Sequence, residues 1–286
     1  MATEPEMPIV LDHIVASTRA RVARSTPDIR ELERRAGLHQ PRGFADALRR
    51  AAKQGPAIIS ELKKASPSKG VIRQDFRVTE LAKGLEAGGA SALSVLTDEE
   101  FFQGSLAYLA EASQAVSIPC LRKDFLVAEW QMVEARAWRA DAVLLIVAAL
   151  SQAELTHLYR RAQEMSLDVL CEVHDGEELV RAVDAGFEMI GVNSRNLRTF
   201  HVDLNVALDL AAKLPRKALR VAESGIHNGG DVHRLREAGY DAFLIGESLM
   251  KAEEPGRALH ELLAEAARES TNGAAVASPP GKASGA

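Results

Sequence analysis

Six polar side chains stand where runs of apolar residues stop. They are Glu61 and Lys63 at the end of AIISELK, Lys123 after PCLR, Glu172 in DVLCEV, Asn193 after MIGV and Glu223 after LRVA. Carboxylates and ammonium groups that meet in one place can give and take protons at a reacting centre. Charges taken partly out of water need partners. Glu61, Glu172 and Glu223 against Lys63 and Lys123 have the signs to partner one another. A second group suits an anion: Ser224-Gly225 follows one apolar run, and Gly246-Glu247-Ser248 follows the next. Small residues let backbone amides approach a phosphate closely. The Glu247 charge is unhelpful there unless it points away. His174 sits beside Glu172, but the histidines show no ligand spacing, so no metal is expected. Cys120 and Cys171 lie in separate apolar runs with no CxxC pair.

The elements that would position these residues can be read along the chain. Of 286 residues, 47% are hydrophobic and 26% charged, which excludes wholesale disorder. Only 5% are aromatic, so the core must come from Ala, Val, Leu and Ile. Residues 1–56 read as helices without strands, a helical extension expected to cap the barrel mouth. Residues 269–286 are small and rich in Gly, Pro and Ser, and are expected to be a disordered tail. Between them, residues 57–268 alternate eight strand-like runs (57–63, 91–96, 119–123, 142–147, 168–173, 189–193, 219–223 and 242–245) with helical patterns. A phrase recurs at the joins: Glu86-Ala87-Gly88-Gly89, Asp184-Ala185-Gly186 and Glu237-Ala238-Gly239, each just ahead of a strand, with glycine suiting the residue after a helix. Arg139-Ala140-Asp141 is a copy without the glycine. Strict alternation implies parallel strands with right-handed crossovers, and eight units imply a closed (β/α)8 barrel, with a doubly wound open sheet as the alternative.

In such a barrel the active site lies at the C-terminal ends of the strands. Side chains alternate with period two. Ile59, Glu61 and Lys63 therefore share a face, as do Leu121 with Lys123, Leu170 with Glu172, and Val221 with Glu223. Val169, Cys171 and Val173 take the other face, towards the helices. The charged set is expected to converge on one mouth. Loops after strands 7 and 8 and a short extra helix over 246–250 are expected to hold a phosphate.

Other classes are disfavoured. A net charge of −5 argues against a nucleic-acid binder. The longest apolar run, 142–150, is shorter than the roughly 20 residues a membrane span needs. Residues 1–8 carry two Glu, no basic residue and no apolar core, so no secretory signal is expected. A reducing cytoplasm is the expected compartment. Arg19, Arg21 and Arg24 read as a solvated helix face, and Trp130 and Trp138 as packing.

The run Ile59-Ser60-Glu61-Leu62-Lys63-Lys64-Ala65-Ser66-Pro67-Ser68-Lys69-Gly70 closely resembles the signature of the indole-3-glycerol-phosphate synthase family. Further matches follow in order: Leu96-Thr97, Phe102-Gln103-Gly104-Ser105, Leu121-Arg122-Lys123-Asp124-Phe125, Glu172-Val173-His174, 190–197 (IGVNSRNL), Ala222-Glu223-Ser224-Gly225-Ile226 and 244–250 (LIGESLM). The resemblance covers about residues 8–268, and its departures are few, among them Arg139-Ala140-Asp141 where Gly-Ala-Asp is usual.

That resemblance implies a carboxy-lyase of tryptophan biosynthesis. It would close the ring of 1-(2-carboxyphenylamino)-1-deoxyribulose 5-phosphate, releasing CO2 and water. It implies Lys123 as general acid, with its pKa expected to be lowered by its surroundings. It implies Lys63 on the substrate carboxylate and as an acid in dehydration, and Glu172 as acid or base in the same step. Glu61 would orient the lysines and Glu223 would support the network. Asn193, Arg195, Ser224 and Phe125 would contact substrate. Ser66, Gly225, Gly246, Glu247 and Ser248 would hold the phosphate. No cofactor, nucleic acid, membrane or obligatory protein partner is implied. Rival readings are another phosphosugar barrel enzyme, of the phosphoribosylanthranilate isomerase type, or a non-catalytic barrel that binds a phosphometabolite. The first wants a Cys–Asp pair, and the second has no need of both lysines with Glu172.

Overall fold

Eight parallel strands follow one another round a closed ring: β1 (Ala57–Leu62), β2 (Ala92–Leu96), β3 (Cys120–Lys123), β4 (Ala142–Ile146), β5 (Asp168–Val173), β6 (Met189–Asn193), β7 (Leu219–Glu223) and β8 (Ala242–Ile245). Closure is made by β8 against β1, with Ala242 opposite Ala57. This computed structural model describes residues 10–197 and 199–276. The expected (β/α)8 barrel is borne out. Met1–Pro8 and the part of the expected tail beyond residue 276 lie outside the described residues.

Period-two alternation builds two separate cores. Ile59, Leu121, Leu144, Leu170, Val221 and Leu244 fill the barrel. Their neighbours of opposite parity, among them Ile58, Leu93, Val143, Cys171, Val192 and Phe243, pack against the helices. Small inward residues (Ala57, Ala92, Ala142, Ala242) surround the lower end of the barrel. They leave space for a plug from outside the sheet.

That plug is α3 (Phe44–Ala52), whose Phe44 and Leu48 are fully buried in the inner core. Here the expectation needs correction, because the N-terminal helices do not all sit over the mouth. Only α1 (Val10–Arg24) does: its Leu11 and Ile14 are buried and face the open end of the barrel. The helix α2 (Ile29–Ala36) descends along the side, packing Leu32 and Ala36 on Val133 and Ala137. Periodicity reported which faces were apolar, but not which end of the barrel each would meet. Arg19 and Arg21 are also not simply solvated. Arg19 reaches Glu154 (2.8 Å) and the Ala149 carbonyl, while Arg21 lies 3.9 Å from Asp98, so α1 is tied to the turn and helix that follow β4 and to the loop after β2.

One buried carboxylate anchors the lower end. Asp141, with no exposed surface, accepts from the His39 ring, the Arg42 backbone and guanidinium, and the Cys120 amide. Burial opposes its ionisation, but His39 and Arg42 outweigh that and hold its pKa below the ordinary carboxylate value.

The recurring phrase at the helix ends has a conformational cause. Gly89, Gly186 and Gly239 all adopt positive φ (106°, 79° and 103°), and Arg139 takes φ 71° in the copy that lacks glycine. The same bond closes each turn, from the Ala140 amide to the Ala135 carbonyl and from Phe187 to Ala182. A side chain in this region costs about 1–2 kcal/mol, against about 0.5–1 kcal/mol of extra chain entropy for glycine. Arg139→Gly is therefore expected to stabilise the protein by about 0.5–1 kcal/mol in urea titration. A destabilised variant would show that the Arg139 side chain contributes more than its backbone strain removes.

The last helix, Pro255–Val276, continues past residue 268 into the segment read as tail.

Candidate active site

At the C-terminal ends of the strands lies a cavity of about 550 Å³. All the expected site residues line it: Glu61 and Lys63 after β1, Ser66 in the following loop, Lys123 and Phe125 at β3, Glu172 on β5, Asn193 and Arg195 at β6, Glu223, Ser224 and Gly225 at β7, and Gly246, Glu247 and Ser248 after β8.

The charges form two ion-paired sets within the one cavity. Lys63 Nζ lies 2.8 Å from Glu61 Oε1. Lys123 Nζ donates to Glu172 Oε2 (3.0 Å) and to Glu223 Oε2 (2.6 Å). Glu61, Glu172 and Glu223 are each under 5% exposed, so their charges are felt strongly. Burial opposes ionisation of Glu61 and Glu172, but nearby cations prevail: Lys63 and Lys123 for Glu61, Lys123 and His174 for Glu172. Both therefore sit below the ordinary carboxylate range. Glu223 goes the other way. Burial, with the neighbouring Glu172 charge, raises its pKa despite Lys123. Two carboxylates on one ammonium divide in this manner: one stays ionised and the other takes a proton.

Lys123 differs from expectation. Burial alone would lower its pKa, but Glu172, Glu223 and Glu61 raise it overall. The number of facing carboxylates decides the direction, and chain order does not reveal that number.

Two glycines make room for the acids. A methyl group added at Gly191, which faces inward on β6, would fall on the Glu223 carboxylate, and one at Gly246 would fall on Glu61. In the loop after β7, Ser224 and Gly225 both adopt positive φ (66° and 78°), and a Cβ at Gly225 would collide with Val202. Ser248 Oγ donates to the Ile226 carbonyl (3.2 Å), joining the loops after β7 and β8. The short helix expected over 246–250 spans Glu247–Lys251. Glu247 pairs with Lys251 (2.6 Å) and lies 3.5 Å from Arg195, so its charge is partnered. Ser66 Oγ is buried without a partner. Asn193 Oδ1 accepts from the Arg195 amide (3.0 Å).

Several contributors escaped the sequence reading. Leu11 and Ile14 of α1, with Phe102, Leu144, Ile146 and Leu197, make an apolar wall beside Phe125. These look like any core residue in sequence. His174 is the more telling omission. Its Nε2 lies 3.3 Å from Glu172 Oε1 and its Nδ1 2.9 Å from Glu178. It shares the parity of Glu172, two residues on, which was the available signal. No cluster of three or more His, Cys, Asp or Glu suited to a metal occurs among the described residues.

Comparison with known proteins gives four findings. A family model described as indole-3-glycerol phosphate synthase matches residues 11–262. The indole-3-glycerol phosphate synthase of Koribacter versatilis (strain Ellin345) is 57% identical over 259 residues, spanning 90% of this chain and all of that protein. Among solved structures, thiamine phosphate pyrophosphorylase from Pyrococcus furiosus aligns with a TM-score of 0.57 at 17% identity, over 76% of this chain and 98% of that one. A structure titled native KDPGal aligns at 0.54 and 15% identity, over 75% and 96%. The two structural likenesses speak to the fold alone.

Proposed function

The chain belongs to the indole-3-glycerol phosphate synthase family, and from that premise we propose how its residues carry out the reaction. It is a carboxy-lyase: it closes the pyrrole ring of 1-(2-carboxyphenylamino)-1-deoxyribulose 5-phosphate to give indole-3-glycerol phosphate, CO2 and water. The observation that carries the assignment of roles is the shared cavity floor, where Lys63–Glu61 and Glu172–Lys123–Glu223 meet.

The ring carbon bearing the carboxylate attacks the ketone carbon, and the carbonyl oxygen takes a proton from Lys123. Held as an ammonium chiefly by the Glu172 carboxylate, Lys123 carries that proton reliably. Glu223, protonated and 2.6 Å away, is placed to replace it. The bond to the carboxylate then breaks, CO2 departs and the electron pair restores the aromatic ring. In dehydration the new hydroxyl leaves as water with a proton from Lys63, which Glu61 orients. Glu172, kept ionised, removes the proton from the carbon next to nitrogen. The aryl ring lies against Phe125 and Phe102. Asn193, Arg195 and Ser224 meet the carboxylate and sugar hydroxyls, and Ser66, Gly225, Gly246, Glu247 and Ser248 surround the phosphate. For the Glu247 position the backbone amide is the contact, since its side chain is engaged elsewhere. Of the N-terminal helices, α1 serves as the cap and excludes water at the mouth.

The two cysteines are free and buried, and burial pushes the Cys120 thiol up to about 12. Unreactive thiols support a reading of this enzyme as cytoplasmic. No helix among the described residues is long and apolar enough to cross a membrane.

Adding the arylamino sugar phosphate to purified protein and following indole fluorescence tests the assignment. Product is expected, and its absence would remove the catalytic reading. In the same assay, inorganic phosphate or glycerol phosphate is expected to raise KM and leave kcat unchanged. A KM indifferent to either anion would overturn the phosphate site.

A further inference from the structure

We propose that Glu178 and His174 form a positioning pair, in which Glu178 fixes the imidazole so that its Nε2 places a second positive charge on Glu172. The inference rests on the catalytic reading above and extends it to two residues outside the reacting set.

The geometry is specific. Glu178 Oε2 accepts from both the His174 backbone amide (2.8 Å) and ring Nδ1 (2.9 Å). Glu178 is itself fixed at the first turn of the helix Gly176–Asp184, where its amide donates to the Asp175 side chain. A ring bound at its own backbone and at Nδ1 by one oxygen has a single orientation, which turns Nε2 to Glu172 Oε1 at 3.3 Å. Lys123 occupies the other oxygen, Oε2. Nε2 is buried and has no hydrogen-bonded partner, so that ion pair is its polar contact.

Charge counting agrees. Four carboxylates (Glu61, Glu172, Glu178, Glu223) meet three cations (Lys63, Lys123, His174) through the ion pairs. With Glu223 protonated, the cluster is neutral only while His174 is charged. The groups around the ring come from several elements. The helix brings Asp175, Glu178 and Arg181, the last donating to the Val147 and Leu150 carbonyls. Strand β3 brings Lys123 and β7 brings Glu223, whereas β4 with the turn to Ala149, and β6, carry no titratable side chain. Burial would lower the imidazole pKa, but Glu172 and Glu178 raise it to about 10.

Removing the charge on Nε2 should let Glu172 protonate at higher pH. In His174→Gln, the acid limb of kcat is expected to move up by about one pH unit, with KM within about threefold of wild type. His174→Lys, which keeps a cation there, should restore most of the original limb. A second readout needs no turnover. In imidazole-¹⁵N-labelled protein, His174, assigned by its loss in the Gln variant, should remain doubly protonated at about pH 8 and titrate lower in Glu178→Gln. A His174→Gln profile that superposes on wild type, or a ring that is neutral at about pH 8, would overturn the pair. Absence of turnover in the wild type, with the ring still doubly protonated, would count instead against the catalytic reading.

Discussion

Lys123→Ala is expected to reduce turnover by about 10²–10⁴-fold, the usual range for one acid–base group, in a protein that still folds. The ammonium sits between Glu172 and Glu223 and is the proton source nearest to both. Its removal leaves the ionised Glu172 beside a neutral Glu223 and without its ammonium partner, so Glu172 is driven towards protonation and the cluster will rearrange. Lys123→Arg separates charge from proton transfer. It keeps a cation between the two acids, but a guanidinium does not deprotonate. Turnover in the arginine variant should therefore stay low even though its thermal stability approaches wild type. A kcat within about threefold of wild type in the alanine variant would remove Lys123 from the proposed role.

The second large effect is on stability, at the opposite end of the barrel. Asp141→Asn is expected to cost about 3–5 kcal/mol, the scale for breaking a buried pair by removing one partner. The variant leaves the Arg42 guanidinium without its carboxylate and weakens the bonds to His39 and the Cys120 amide. The pH dependence has a definite sign. Asp141 has a depressed pKa when folded. Its contribution is present above the unfolded carboxylate value of about 3.9 and is lost as pH falls through the lower folded value. Urea titrations across this acid range should show a steeper loss for wild type than for Asp141→Asn. Equal slopes would mean that other carboxylates dominate acid unfolding.

Much of this molecule was legible in its sequence, for physical reasons. A barrel strand buries both faces, so its apolar runs are short, dense and broken by the first side chain that chemistry requires. That is why Glu61, Lys123, Glu172 and Glu223 announced both the strand ends and their own direction. The glycines at 89, 186 and 239 marked helix ends because the backbone there turns left-handed. Arg139 showed that the turn, rather than the glycine, is what the fold demands. Properties that depend on several distant segments were hidden. Nothing local tells Leu11 that it will roof the cavity, or Phe44 that it will plug the base. The rise in the Lys123 pKa needed three acids from three other strands. His174 was in plain view at the correct parity, but its meaning came from Glu178, one helical turn further on.

The missing side chains at positions 191 and 246 bear on any attempt to redesign this catalyst. The carboxylates of Glu223 and Glu61 occupy the volume that a methyl group there would need. Introducing even alanine would evict an acid from its seat without altering any charged residue. These two sites are thus steric dials on the proton inventory, and saturation libraries that vary them would sample new ionisation patterns on an unchanged scaffold.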